Sequence, residues 1–371
     1  KRFQEGKVLP AAFRLYRSWS GDQALWRRHT GVFPMRAFYR SAAVLSVSAL
    51  AMTVAHAAPV PTNLAGVTAN METPAGFDPL KATAQQLDAA GLPPRPDAQL
   101  NRKAFASWQR AVTTQTRRIM PSLVQTDIKH GPHKPAAGAN GTSTNWSGYA
   151  LVNSQTSRTN ASFYFLIADY VVPVAEQAFG ACTGSYDYSS SWIGIDGYNS
   201  SDVLQAGTEA DAYCSGTTKA AYYAAWYEWY PFSEVRIGSF PVSPGDDMFV
   251  EVWSTSATVG HAYIVNYNTN QTVDLTFNAP SGTTLKGNSA EWVVERPSVG
   301  GSLATLTNYI QDFFEDAYAY DFNYDQSSPS AAYTGVSSVP LTMVDSSGNG
   351  LSYPALLGPS SVLFTDEGAA R

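Results

Sequence analysis

Residues 202–214 read DVLQAGTEADAYC. As a strand, this stretch places Val203, Gln205, Gly207 and Glu209 on one face and Leu204, Ala206 and Thr208 on the other. One face is small and apolar, and the other sets a glutamine beside a carboxylate. Similar short runs surround it from Asn145 onward: SFYFLIADYVVP at 162–173, SSWIGIDGY at 190–198, AAYYAAWYEWYP at 220–231, DMFVEVWSTS at 247–256, HAYIVNYNTNQTVDLTF at 261–277, AEWVVERP at 290–297 and LTNYIQDFF at 306–314. They are rich in Tyr, Trp, Val and Thr, and clusters of Gly, Pro, Asn and Asp separate them. None sustains a 3.6-residue period. Many short strands at this spacing predict an all-β protein, an antiparallel sandwich or barrel, and no repeat of fixed length is present.

The first 141 residues differ. They carry 18 Lys and Arg against 7 Asp and Glu, whereas residues 142–371 carry 6 against 23. Two parts of opposite charge meet near residue 140. The basic part contains no recognisable nucleic-acid-binding module, so nucleic acid is not expected as a partner. It contains instead a targeting signal: MRAFYRSAAVLSVSALAMTVAHAAPVP at 35–61 offers Arg36 and Arg40, an apolar run from Ala42 to Val54, and Ala55-His56-Ala57 as an A-x-A cleavage site. That reads as a secretory signal peptide starting at Met35, too short in its apolar run for a membrane span. Residues 1–34 read as a non-native upstream extension. Export to an oxidising compartment makes Cys182 and Cys214, the two cysteines, a disulfide pair.

Residues 58–98, rich in Pro, Ala and Gln, read as extended or loosely ordered. LNRKAFASWQRAVTTQTRRIMP at 100–121 predicts one basic amphipathic helix with Phe105, Trp108, Val112 and Ile119 near one stripe, Arg117-Arg118 in the last turn and Pro121 beyond it. KHGPHKPAAGANGTST at 129–144 reads as a linker whose backbone is exposed to cleavage. The expected organisation is therefore an upstream extension at 1–34, a signal peptide at 35–57, a partly helical basic propeptide and linker at 58–141, and a mature β-domain at 142–371.

Elimination narrows the chemistry. Residues 142–371 hold one histidine, His261, which limits any Ser-His-Asp triad and excludes a histidine-rich zinc site there. There is no G-x-S-x-G, no H-E-x-x-H and no phosphate-binding glycine loop. Carboxylates beside aromatic residues remain: Trp226, Glu228 and Tyr230 share one face, as do Glu291, Val293 and Glu295, and Trp192, Gly194 and Asp196. A glutamate between two tryptophans is desolvated, which raises its pKa and suits acid/base work. From residues alone, three functions stay open: a peptidase, a glycoside hydrolase using Glu228 and Glu291 as its carboxyl pair, and a sugar-binding sandwich with tryptophan platforms.

The motifs NWSGYA at 145–150, SWIGIDGYNSSDVLQAG at 191–207, AWYEWYP at 225–231, PGD at 244–246 and AEWVVE at 290–295 occur in an order that resembles the glutamic peptidases, also called eqolisins or the G1 peptidase family. The resemblance covers about residues 142–325. It implies a concanavalin-like antiparallel β-sandwich and a secreted, monomeric acid endopeptidase with no cofactor or metal, acting on proteins and peptides. It also implies a Gln/Glu dyad, carried here by Gln205 and Glu291. Trp192, Asp196, Glu209, Trp226 and Glu228 would line the groove or support the dyad. Glu209 stands where the family has Asp, and Tyr170-Val171 where a tryptophan is expected before VVP. The basic propeptide would serve as an intramolecular inhibitor or chaperone that loses its hold in acid.

Overall fold

The computed structural model describes residues 58–136 and 141–367, within a compact unit spanning Thr53–Arg371. The segments assigned to residues 1–57 lie outside the described residues. The two-residue alternation builds the longer strands: β1 Trp146–Val152, β2 Phe163–Val171, β3 Ser190–Ile195, β4 Val203–Ser215, β5 Thr218–Tyr230, β6 Asp247–Ser256, β7 Val259–Asn266, β8 Gln271–Asn278, β9 Ser289–Glu295, β10 Gln311–Asp321, β11 Ser337–Val344, β12 Gly350–Gly358 and β13 Ser361–Asp366. They form two antiparallel layers. One runs β11-β1-β9-β3-β4-β5, and the other β12-β13-β10-β2-β6-β7-β8. Strand β11 also pairs with β12 and joins the layers at one edge.

Alternation decides what each face buries. Ile193, Leu204, Ala206, Tyr227 and Trp292 of the first layer share one apolar core with Leu166, Ala168, Val250, Val252 and Ile264 of the second. This is a β-sandwich, one of the two architectures the strand pattern allows and the one the family resemblance implies. The residues of opposite parity point outward. On the second layer they are Phe165, Phe249, Trp253, Tyr263 and Tyr320, too much apolar surface to leave in water.

A helix from the basic part covers that face. Helix α1, Ala84–Ala89, starts with a capping box between Thr83 and Gln86. Helix α2, Arg102–Thr113, is capped by Asn101, whose side chain accepts from the amides of Lys103 and Ala104. Trp108 of α2 is fully buried against the outer face of the second layer. The helix is shorter than its sequence predicts. Thr113, Thr114 and Thr116 are β-branched and favour extended backbone, and the open edge of β8 offers partners: the amides of Arg117 and Ile119 donate to the carbonyls of Asn270 and Thr272 at 2.9 and 3.0 Å. Arg117–Arg118 is accordingly a strand, parallel to the start of β8. Ile119 enters the sandwich core, and Arg118 reaches the buried Asp274 at 2.7 Å.

Two further readings are corrected. Residues 58–98 are built into the fold, with Val67–Ala69 extending the second layer beyond β8. The Pro/Gly-rich stretch after Ile128 is not an exposed linker at its start. Leu123–Gln125 pairs with Val235–Ile237, the short strand that extends the first layer beyond β5. Ile128–Lys129 then pairs with Ser298–Val299, and His130 and Gly131 are buried. No helix among the described residues is long and apolar enough to cross a membrane.

Candidate active site

The outer face of the first layer carries the polar residues that the alternation places there. Gln205 of β4 pairs with Glu228 of β5 on one side and Gly194 of β3 on the other, and Gly194 pairs with Glu291 of β9. Two residues along, Trp226, Gly207, Trp192 and Val293 form the next row, and two further, Glu209, Ser190, Glu295 and Trp146 form the third. Directly paired residues point to the same face. One sheet face therefore gathers Gln205, four glutamates and three tryptophans. Glycine keeps the face open for the Trp192 ring: a Cβ on Gly207 would lie 2.6 Å from Trp192 Cβ, and one on Gly194 would lie 2.9 Å from the ring at Cζ3.

The segment His130–Lys134 crosses this face. Gln205 Nε2 donates to the His130 carbonyl at 2.6 Å, and the His130 amide donates to Glu228 Oε2 at 3.1 Å. Trp146 Nε1 and Asn145 Nδ2 donate to the Gly131 carbonyl at 3.1 and 3.3 Å. The His133 amide donates to the Gly197 carbonyl, and the Lys134 amide to Asn145 Oδ1. Backbone groups of this peptide are thus held in succession by side chains on or beside the sheet and by the Gly197 carbonyl. This is how a protein chain is held irrespective of its sequence.

The His130 ring is fully buried. It stacks on Trp226 with centroids 3.9 Å apart. Its Nε2 lies 2.9 Å from Glu209 Oε1 and 3.0 Å from Glu234 Oε2, and its Nδ1 lies 3.4 Å from Glu295 Oε2. Burial opposes charge on the imidazole, but the three carboxyls outweigh it and raise its pKa well above the usual histidine value. Burial likewise opposes the charge of Glu209, and His130 overcomes it, holding that carboxyl down at about 2. Glu234 is pushed up to about 7 by burial and by Glu209. Glu228 and Glu291 are both raised well above the carboxylate range, chiefly by burial. His130, Glu209 and Glu234 bring one ligand atom each within 4.8 Å of one another, the geometry of a metal site. The imidazole nitrogen that such an ion would need is here paired with the two carboxyls.

The structure sorts the residues expected from sequence. Trp192 Nε1 donates to Glu295 Oε2 at 2.9 Å, and Trp226 Nε1 to Ser190 Oγ at 3.0 Å. Asp196, at φ 67°, accepts from the amides of Lys286 and Asn288, both at 2.7 Å, so its hydrogen bonds hold the loop before β9. Tyr170 is in the core, its hydroxyl donating to Thr208 at 3.1 Å, and takes no part in the groove. A disulfide joins Cys182 and Cys214. His261 stacks on Trp253 beside Thr255 and Thr276, a packing role. Glu291 lies in the row of Gln205 but beside Ser289 and the Tyr198 amide. Glu295 is the β9 glutamate at the bound segment, held by Trp192 and by Asn145 Nδ2 at 3.1 Å.

Asn145, Glu234, Glu295 and His130 are site residues that sequence reasoning left unassigned. Alternation places Glu295 on the face of Glu291. Glu234 is tied to Arg236, whose Nε donates to Oε1 at 2.7 Å, an i, i+2 pair legible as two residues on one side of a strand. Nothing in the motif NWSGYA marks its first residue as a backbone clamp.

The Peptidase A4 family model matches residues 144–350. Aspergillopepsin-2 of Aspergillus niger is 30% identical over 209 residues, covering 51% of this chain and 70% of that protein. Scytalidopepsin B of Scytalidium lignicola is 33% identical over 153 residues, 41% of this chain and 51% of the relative. Among solved structures, that of scytalido-glutamic peptidase with a transition state analog inhibitor is similar at 24% identity and a TM-score of 0.48, covering 60% of this chain and 98% of that one. The sugar-hydrolysing and sugar-binding alternatives are set aside by the family model and the two curated relatives. With its motifs inside the matched region, the chain belongs to the Peptidase A4 family and is a glutamic-type endopeptidase, a hydrolase of peptide bonds.

Proposed function

We propose that this protein is an acid endopeptidase in which Gln205 holds the scissile carbonyl and Glu295 is the acid/base. The observation that carries the reading is the 2.6 Å hydrogen bond from Gln205 Nε2 to the His130 carbonyl, an amide donor aimed at a peptide oxygen. In the reaction Glu295 takes a proton from water as its oxygen adds to the carbonyl carbon. The C–O electron pair moves onto oxygen, where the Gln205 amide donates to it. Glu295 then returns the proton to the amide nitrogen as the C–N bond breaks, leaving a carboxylic acid and an amine. Glu228, which accepts from the His130 amide, would hold the N–H of the residue whose carbonyl is attacked. Trp192, Trp226 and Glu209 would shape the groove, and Asp196 its bordering loop.

Glu295 is preferred to the Glu291 of the sequence reading because it touches the bound residue. A second reading keeps Glu291, on one observation: it stands in the row of Gln205, with only Gly194 between them. Single Glu295→Gln and Glu291→Gln variants, assayed on a denatured protein at acidic pH, decide between them. We expect loss of about 100-fold or more for Glu295→Gln and a smaller effect for Glu291→Gln. The opposite order returns the role to Glu291, and near-normal proteolysis by both defeats the proposal.

The same reading makes residues 35–57 an export signal, 58–141 a propeptide and 142–371 the mature, monomeric enzyme. It is supported by the change of charge near residue 140 and by the position of the family match. The propeptide's His130–Lys134 then acts as the intramolecular inhibitor.

A further inference from the structure

We propose that Glu209, Glu234 and Glu295, with Trp226 as floor, form a substrate subsite that selects a basic, flat side chain, an imidazolium above all, on the acyl side of the bond to be cut. The inference rests on the peptidase reading of Gln205, because it uses that residue to fix which peptide bond is presented. The carbonyl that Gln205 holds belongs to His130, and the ring in the cage is that same residue's side chain. The residue whose carbonyl faces attack is therefore the one whose side chain the cage reads.

The cage is built for a cation. All three glutamates are buried, and Arg236 engages Oε1 of Glu234 and leaves Oε2 for the occupant. An imidazolium presents two N–H groups in the plane of the ring: one meets Glu234 Oε2 at 3.0 Å with Glu209 Oε1 2.9 Å from the same nitrogen, and the other faces Glu295 Oε2 at 3.4 Å as an ion pair. Its flat face covers the Trp226 indole at an interplanar angle of 9°. A leucine there would leave buried carboxyls without a donor, a penalty that discriminates more strongly than a misfit of apolar shape. Glu234 is outside the motifs that carry the family resemblance.

Two measurements test it. The first needs no catalysis: imidazole nitrogen resonances of the full-length chain, with His130 identified by its loss in His130→Gln. The groups facing the ring are Glu209 from β4, Glu228 from β5, Glu234 beyond it and Glu295 from β9, and behind them Asp211 of β4 and Arg236 act on Glu209 and Glu234. We expect His130 to remain an imidazolium well above pH 6.5 and its midpoint to move toward 6.5 in Glu234→Gln. The second is cleavage of peptides that differ only in the acyl-side residue, by the acid-incubated chain. We expect kcat/KM for histidine to exceed that for leucine by about tenfold or more, with the ratio falling several-fold in Glu234→Gln. A His130 midpoint at or below 6.5, or a ratio near one in an enzyme that cuts these peptides, overturns the subsite. A caged imidazolium in a chain that cuts no peptide at all locates the failure in the peptidase reading, and the subsite falls with it.

Discussion

Gln205 owes its proposed role to an amide that donates without ionising. Gln205→Glu keeps the size but substitutes a group that, when ionised, only accepts. We expect proteolysis to fall on the order of 100-fold, as for loss of an oxyanion donor, and least at the lowest pH, where the new acid is protonated. Circular dichroism would confirm the fold, and near-normal proteolysis at pH about 5 would remove Gln205 from the mechanism. Much of this was legible in the sequence at this scale. A two-residue period puts Gln205, Glu209, Trp226 and Glu228 on one face wherever the strands fall, and glycines at 194 and 207 are the gaps between them. His130 was not legible: a histidine among Pro, Gly and Lys has no periodicity, and its partners come from strands far away in sequence. The segment around it is held largely through backbone amides and carbonyls, which no side-chain pattern announces.

Helix α2 and the segment that follows it are elements whose positions are fixed by the other part of the chain. The helix ends at Thr113, short of the predicted stripe that runs to Ile119, because the edge of β8 competes for the backbone, a tertiary effect beyond local propensity. Trp108→Ala should destabilise its docking by about 3 to 5 kcal/mol, measured by denaturant unfolding followed at both ends of the transition. The disulfide closes a separation of 32 residues around β3 and most of β4. Reducing it should cost about 3 to 4 kcal/mol in the loop-entropy picture, and a reduced protein with unchanged stability would contradict this. Processing belongs here too. Within the stretch from Lys129 to Thr142, the bond presented to Gln205 is His130–Gly131, so acid incubation should give a first new N-terminus at Gly131, ahead of trimming toward Thr142, read by N-terminal sequencing. Burial raises and His130 lowers the Glu209 carboxyl, which ends at about 2. Glu209's share of the grip on His130 is therefore complete above the ordinary carboxylate value of 4.5 and is lost as pH falls toward 2.

The whole molecule carries many buried acids, and they set the pH dependence of its stability. Burial raises Asp169 and Glu234 to about 7 and Asp202, Asp274 and Asp312 to about 6, against 3.8 or 4.5 when unfolded. A raised carboxyl binds its proton more tightly in the folded state, so its contribution is full below about pH 4 and is lost as pH rises through about 6 to 7. His261, lowered to about 4 by burial, works in the opposite direction over the same window. The acids outnumber it, and calorimetry should give a higher Tm at pH 4.5 than at pH 7.5. The opposite order would mean these carboxyls stay ionised in the fold. The peptide in the groove is also a piece of the same polypeptide, and that fixes the order of its kinetics. Its local concentration is set by the tether, on the order of millimolar or above, however dilute the protein. Its occupancy and its scission should both be first order, with half-times independent of protein concentration.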